Sequence, residues 1–418
     1  MLKTTGFVGR RDFLKAGATF LTASSAALPA TLTAKGASAA PKIPDNMLYP
    51  GVEDEAYGSP SPHEAGNVRK IFPQNEKSTL TASFTPLHTQ KGIITPSGLH
   101  FGAHHSGVPE IDPEMHELFI HGMTDRPLKF TASDLMRYPL SGGINFLECG
   151  GNSAPQGYYP EAQPMPLQYL HGLVSGSEWI GVPVKLLLQE AGLNPKAKWV
   201  IAEGADAGFL ARSIPLQKLL DDAIIALYQN GERLRPAQGY PMRLFLPGWE
   251  GNTSIKWLRR LEVTDRPAYT REESRHYSET LADGSIEGFS MYMGVKSVIT
   301  HPSAGQVLPD KGYYQVNGLA WSGFGKISRV EVSDDGGKNW VPAELEGPVL
   351  NKSLTRFTLP WRWDGSPVRL QSRAFDEWDN VQPTHEAWKS RYFEGSRNHY
   401  NAIQTWYIDA QGTVSNVF

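Results

Sequence analysis

A chain of 418 residues with a single cysteine, Cys149, has to fold without covalent staples. One thiol excludes intramolecular disulfides, cysteine-rich zinc sites, cysteine-ligated iron–sulfur clusters and a C-x-x-C-H haem attachment. Order has to come from apolar cores, and the supply is ample: 40% of residues are hydrophobic, with 11 Trp, 16 Tyr and 17 Phe. Length allows two or three domains. The 41 Gly and 31 Pro favour loops and short strands over helix bundles. A formal net charge of -3 carries no basic excess, so no nucleic-acid partner is expected.

The first forty residues read as an address. Arg10 and Arg11 form a twin-arginine pair followed by Asp12, Phe13, Leu14 and Lys15, and an uncharged stretch from Ala16 to Ala34 ends near the small residues 37 to 40. This pattern predicts export by the Tat route to the periplasm. The same stretch is diluted by Ser, Thr and Pro29, so no stable membrane span is expected.

Four regions follow from texture: a signal at 1–40, a loop-rich lead-in at 41–95, a mixed α/β region at 96–292 and a strand-rich region at 293–418. Thr131 and Asp134 form a helix-capping pair, Pro183 opens a second helix that Gly192 ends, and Ser213 to Leu220 starts a third. Ile144–Leu147 and Met242–Leu246 read as strands. Beyond residue 293, Val330 and Val332 alternate with polar neighbours ahead of an Asp335-Gly336 turn. Val368, Leu370, Ser372 and Ala374 alternate with Arg369, Gln371 and Arg373. Short strands separated by turn signals suggest an immunoglobulin-like β-sandwich.

The sequence holds no G-x-G-x-x-G, P-loop, G-x-S-x-G or H-E-x-x-H motif. What remains is the thiol in its setting, Phe146-Leu147-Glu148-Cys149-Gly150-Gly151-Asn152. A solitary cysteine reads first as a buried inert residue. The alternative is a soft thiolate metal ligand, with glycines beside it that let backbone approach a bulky group.

From about residue 96 to 390 the chain resembles the sulfite oxidase family of molybdenum enzymes. Cys149-Gly150-Gly151-Asn152 is similar to that family's C-x-G-N motif. Phe101 through Pro109, Glu203 through Asp206 with Ser213 through Leu216, and Gly239 through Arg243 with Ile255-Lys256-Trp257-Leu258 resemble further blocks in the family's order. Asp379 through Pro383 and Trp388-x-x-Arg391 resemble the last one. The resemblance implies an α+β molybdopterin-binding domain followed by an immunoglobulin-like dimerisation domain, hence an oligomer. It also implies a molybdenum–molybdopterin cofactor with Cys149 as its protein ligand. His104, His105 and Asp206 would bond the pterin, and Arg243, Ser254 and Lys256 its phosphate. Tyr277 and Arg391 would act with Cys149 in catalysis, and Trp179 matches a tryptophan that serves equally as core.

The departures sharpen the reading. Ala103 stands where the family has an arginine, and Ser153-Ala154 where it has Arg-Arg, so only Arg391 of that cluster remains. A site poorer in guanidinium suits a larger, less charged substrate than free sulfite. The run Ser396 through Trp406 resembles a branch that oxidises sulfane sulfur on a cysteine of a carrier protein and passes electrons to a c-type cytochrome subunit. No haem is expected in this chain. The competing readings are a periplasmic sulfite dehydrogenase acting on free sulfite, an exported molybdenum reductase, and a binding module that has lost its metal.

Overall fold

The computed structural model describes residues 6–7, 43–73, 80–289, 291–393, 395 and 399–418. The twin-arginine segment lies outside the described residues, as do Ser396, Arg397 and Asn398 of the C-terminal run. Two compact units emerge, one of Val8–Asn67 and one of Met1–Phe7 with Val68–Phe418. The described part of the smaller unit, 43–67, is almost wholly exposed and carries only single 3-10 turns at Asp45–Met47 and Pro62–Glu64. Among the described residues no helix is long and apolar enough to cross a membrane.

The lead-in is not all loop. Lys70–Phe72 and Thr81–Phe84 are strands, and with Gly102–His104 they make a three-stranded sheet, which fixes the backbone on which His104 stands. Two five-stranded sheets follow. The first runs Ala211–Pro215, Trp199–Gly204, Leu258–Thr264, Glu117–Gly122, Leu128–Thr131. The second runs Glu232–Arg233, Ile224–Gln229, Val174–Pro183, Ser141–Glu148, with Arg243–Phe245 also on Ile224–Gln229. Short helices lie between them. Ala132–Leu135 carries the capping box of Thr131 and Asp134, and Val184–Ala191 ends at Gly192 with φ of 73°. The third helix is Leu216–Asp221, not a segment beginning at Ser213. Residues 211–215 belong instead to an antiparallel strand, because Ala211 to Pro215 pair with Glu203 to Trp199.

The C-terminal region forms the expected two-layer β-structure. One layer pairs Lys296–His301, Gly312–Trp321 and Thr355–Trp363; the other orders Val341–Pro342, Ile327–Ser333, Val368–Asp376, Thr405–Ile408 and Val414–Val417. Val330, Val332, Leu370 and Ala374 are buried in their shared core with Trp321, Trp361 and Trp406. Period-two alternation of side chains makes this possible.

One strand belongs to both regions. In Ser141–Glu148, Phe146 packs into the core of the C-terminal layers beside Trp321, whereas Leu147 and Cys149 join Phe101, Trp179 and Phe245 on the opposite face. A fully buried Phe contributes about 1.5–3 kcal/mol by leaving water. The alternation along this strand therefore clamps the cysteine from behind while turning its sulfur toward open space.

Candidate active site

Behind Cys149 lies a buried polar cluster. Glu148 accepts from Asn152 Nδ2 at 2.8 Å, Lys296 Nζ at 3.0 Å and Trp321 Nε1 at 2.6 Å. Lys296 Nζ also donates to Ser153 Oγ at 2.9 Å, and Ser153 Oγ lies 2.7 Å from His171 Nδ1. Burial drives the His171 imidazole to about 3, so it sits neutral there. Lys296 and Trp321 come from the C-terminal region, so the loop of the cysteine is pinned from two regions at once. Cys149 N donates to Leu173 O at 3.0 Å, and Asn152 Oδ1 accepts from Leu173 N at 3.1 Å.

In front of Cys149 is a cleft enclosing about 690 Å³ of space, its open mouth included. It brings together His104, His105, Cys149, Asp206, Arg243, Ser254, Lys256 and Tyr277, which come from six separate stretches of chain. Arg243 is buried, and its charge meets only neutral acceptors: Nη2 donates to Ser254 O at 2.7 Å and Nη1 to Gln238 O at 3.2 Å. Nε has no partner among the described residues. Burial alone lowers its pKa from 12.5 to about 9. Lys256 Nζ donates to Ala103 O at 2.8 Å and lies 2.6 Å from His104 Nδ1. Burial, with Arg243 nearby, holds Lys256 well below the usual lysine range, and burial with the Lys256 charge lowers His104 to about 3. A neutral His104 accepts from the ammonium.

Among the described residues neither Arg243 nor Lys256 has a carboxylate in ion-pair contact, and the Asp206 charge offsets the burial of Lys256 only in part, so the pair favours an anion in the cleft. Asp206, also buried on this cleft, accepts from Leu210 N through Oδ1 at 3.0 Å. Ser254 Oγ accepts from Leu246 N at 3.0 Å, which leaves its hydroxyl hydrogen to donate. Burial pushes the Cys149 thiol up to about 11, so in the bare protein it is protonated. A bound metal would deprotonate it outright. At Gly151 a Cβ would reach 3.9 Å from Cys149 Sγ, and at Gly150 it would press on Asn252 and Glu250 at 3.3–3.4 Å. Among the described residues no group of three or more His, Cys, Asp or Glu is arranged to hold an ion. A metal in this cleft thus rests on one protein thiolate and takes its other ligands from a non-protein group. The residues fit a phosphate-bearing dithiolene cofactor: a soft ligand, an anion-seeking pair, and the orphaned acceptor Asn252 Oδ1.

Arg391 is not part of this cleft. It lies in a separate groove with Glu287, Trp388, Tyr392 and His399, its side chain is 59% exposed, and its Nη2 sits 3.0 Å from Glu287 Oε2. The bond it donates to Glu287 raises its pKa further. Within its own chain Arg391 therefore does not reach Cys149 and Tyr277: helix His385–Arg391 presents it to solvent, where the Glu287 carboxylate pairs with it, and a part in catalysis would have to be played toward a neighbouring subunit. Trp179 resolves toward the core. It is fully buried, stacks on Phe245 at 4.7 Å and lies 5.1 Å from the Arg243 guanidinium, so it props a cleft residue without lining the cleft. Of the departures, Ala103 lines the cleft, whereas Ser153 points into the cluster behind the cysteine and Ala154 opens the helix Ala154–Tyr158. Gln238 and Asn252 also line the cleft and were not singled out from sequence. Asn252 lies between the Gly239–Arg243 and Ile255–Leu258 stretches, and that proximity was the available signal.

The oxidoreductase molybdopterin binding domain profile matches residues 105–272, and the Mo-co oxidoreductase dimerisation domain profile matches 288–405. The chain is 28% identical over 369 residues to mitochondrial sulfite oxidase of Mus musculus, covering 81% of this chain and 66% of that protein. To the NADH nitrate reductase of Solanum lycopersicum it is 30% identical over 339 residues, covering 71% of this chain and 37% of that one. It thus spans just under two thirds of the mouse enzyme and little more than a third of the plant enzyme. Among solved structures, the sulfane dehydrogenase SoxCD from Paracoccus pantotrophus matches with a TM-score of 0.87 and 42% identity, over 90% of this chain and 97% of that one.

Proposed function

The chain belongs to the sulfite oxidase family of molybdenum enzymes and is a molybdenum-dependent oxidoreductase; from that premise we propose that it is the molybdenum subunit of a SoxC type. It oxidises sulfane sulfur held on a cysteine of a carrier protein and delivers electrons to a SoxD-like c-type cytochrome subunit, in the periplasm after Tat export. The observation that carries the choice of substrate is Ala103 on the wall of the Cys149 cleft, where the family has an arginine. With Ser153 engaged by Lys296, the cleft is left without a bidentate clamp for a small dianion. A substrate tethered to a protein needs no such clamp, because the carrier surface supplies affinity. Likeness to a solved sulfane dehydrogenase supports the same choice.

When bound, the molybdenum centre supplies oxygen-atom transfer to sulfur and takes up the electrons. Cys149 holds the metal. Arg243 and Lys256, with the Ser254 hydroxyl, neutralise and position the cofactor phosphate, and His104, His105 and Asp206 bond the pterin edge. Tyr277, its hydroxyl 3.2 Å from His105 Nε2, stands in the cleft as donor to an oxyanion. The dimerisation-domain match supports an oligomeric enzyme. Cytochrome reduction by the purified protein, with carrier-bound sulfane and with free sulfite in parallel, tests the reading. Rapid reduction with the carrier and slow reduction with sulfite is expected; the reverse order would make it a sulfite dehydrogenase.

A further inference from the structure

Arg212 stands apart from the residues discussed so far. It lies on strand Ala211–Pro215, is 0% exposed, and donates through Nε to Glu273 Oε1 at 2.9 Å. Its two terminal nitrogens, Nη1 and Nη2, are buried with no hydrogen-bond partner among the described residues. Glu273 is fully engaged: Oε1 also accepts from Ser213 N at 2.7 Å, and Oε2 accepts from the Thr270 hydroxyl. The guanidinium carbon lies 4.9 Å from the centre of the Tyr277 ring. The His105 ring lies 6.1 Å from that same ring, tilted by only 10°.

A guanidinium with two unsatisfied donors is costly to bury, and a purely structural ion pair would bring more of the fork into contact with its carboxylate. Here the carboxylate takes only Nε, and the remaining charge rests against the ring of Tyr277, which lines the Cys149 cleft and whose hydroxyl lies 3.2 Å from Nε2 of His105, another residue of its wall. A cation against the ring draws electron density from the phenol and strengthens its O–H as a donor, while the contact holds the ring's angle. The Arg212 charge also opposes the burial that keeps the phenol protonated.

We infer that Arg212, held by Glu273, is a positioning residue that acts through Tyr277 to steady the oxyanion in the cleft, in place of the guanidiniums missing at positions 103 and 153–154. This rests on the reading of the cleft as a sulfur-oxidising site, not on which sulfur compound is the substrate. A double-mutant cycle on the molybdenum-loaded protein tests it. Arg212→Met alone would strand the buried Glu273 charge, so Arg212→Met is combined with Glu273→Gln, and the pair is placed in the parent and in the Tyr277→Phe background. The readouts are calorimetric affinity for sulfate, an oxyanion of the product's shape, and kcat on whichever sulfur substrate the parent oxidises. In the parent the paired replacement is expected to weaken sulfate about tenfold and lower kcat by a similar factor, with KM changed less than about threefold. In the Tyr277→Phe background the same replacement is expected to change either readout by less than about twofold. Arg212→Lys, which keeps the charge, is expected to retain sulfate affinity within about threefold of the parent. Equal losses in both backgrounds, no loss in the parent, or a parent without measurable sulfate affinity would each overturn the inference. If the paired replacement does not fold, Arg212→Lys and Arg212→Gln decide it: the inference falls unless Lys holds sulfate at least about fivefold more tightly than Gln. Sulfate binding needs no carrier protein, so failure of the carrier-bound substrate leaves this test readable.

Discussion

The Cys149 cleft and the Arg391 groove both contain arginine, and the two arginines are in opposite states. Arg243 is buried, bonded only to carbonyl oxygens, and its pKa is lowered to about 9 by burial. Arg391 is mostly exposed, faces Glu287, and its pKa is raised. A charge that the fold buries without an opposite charge is an unmet demand, and only an anionic ligand can meet it. A charge already neutralised in solvent makes no such demand. The contrast teaches that a guanidinium's type says little about function until desolvation and partner are known.

Four experiments would break or sharpen that contrast. Cys149→Ser should cut turnover on the order of 10³-fold or more while far-ultraviolet circular dichroism stays unchanged, with molybdenum content as the direct check; activity near the parent's would remove the cleft's claim altogether. Lys296→Met should destabilise by about 3–5 kcal/mol in denaturant unfolding, because it leaves the Glu148 carboxylate buried without its cation. Arg243→Met should weaken cofactor retention on the order of 10²-fold, measured as molybdenum lost on dialysis. The same change should leave the cofactor-free protein as stable as before or more so, since it deletes an uncompensated buried charge. Arg391→Met should change kcat by less than about threefold and stability by less than about 0.5 kcal/mol. A large loss there would mean that Arg391 reaches the cleft of a neighbouring subunit, which oligomer-mixing with an inactive Cys149→Ser partner would reveal.

A pH experiment probes the cleft side of that contrast, where Glu272 backs His105. Burial of Glu272 works against its ionisation, but the neighbouring His105 ring and Arg271 guanidinium prevail and lower its pKa from 4.5 to about 2. A depressed carboxyl stabilises the fold above the unfolded value and ceases to do so as pH falls through the folded one. Glu272→Gln should therefore cost about 2–3 kcal/mol near neutrality, a deficit that shrinks between pH 4.5 and 2. A deficit independent of pH would point to packing instead.

Much of the site was legible along the chain. Cys149, Arg243 and Lys256 sit in ordered blocks, and soft-ligand and anion-pair chemistry gave each a reason. The helix caps at Thr131 and Gly192 were equally readable, since capping is local. The start of the third helix was not, because pairing of 211–215 with 199–203 is a contact across the sheet. The place of Arg391 was not legible for a related cause: its motif fixed where it lies in sequence, not which surface its helix would face. Arg212 offered no signal at all beyond preceding the Ser213–Leu216 block.

By itself, the order of residues determined that this chain is built without intramolecular disulfides, that its last region alternates between a buried and a wet face, and that its lone thiol, followed by two glycines, is either an inert core residue or a soft metal ligand, a choice made by resemblance to a family. Tertiary structure alone decided which charges are desolvated. Burial and partnering depend on stretches dozens to hundreds of residues apart, as when Lys296 reaches Glu148 or Arg212 meets Tyr277. The strength of a charge depends on what surrounds it, and only folding supplies the surroundings.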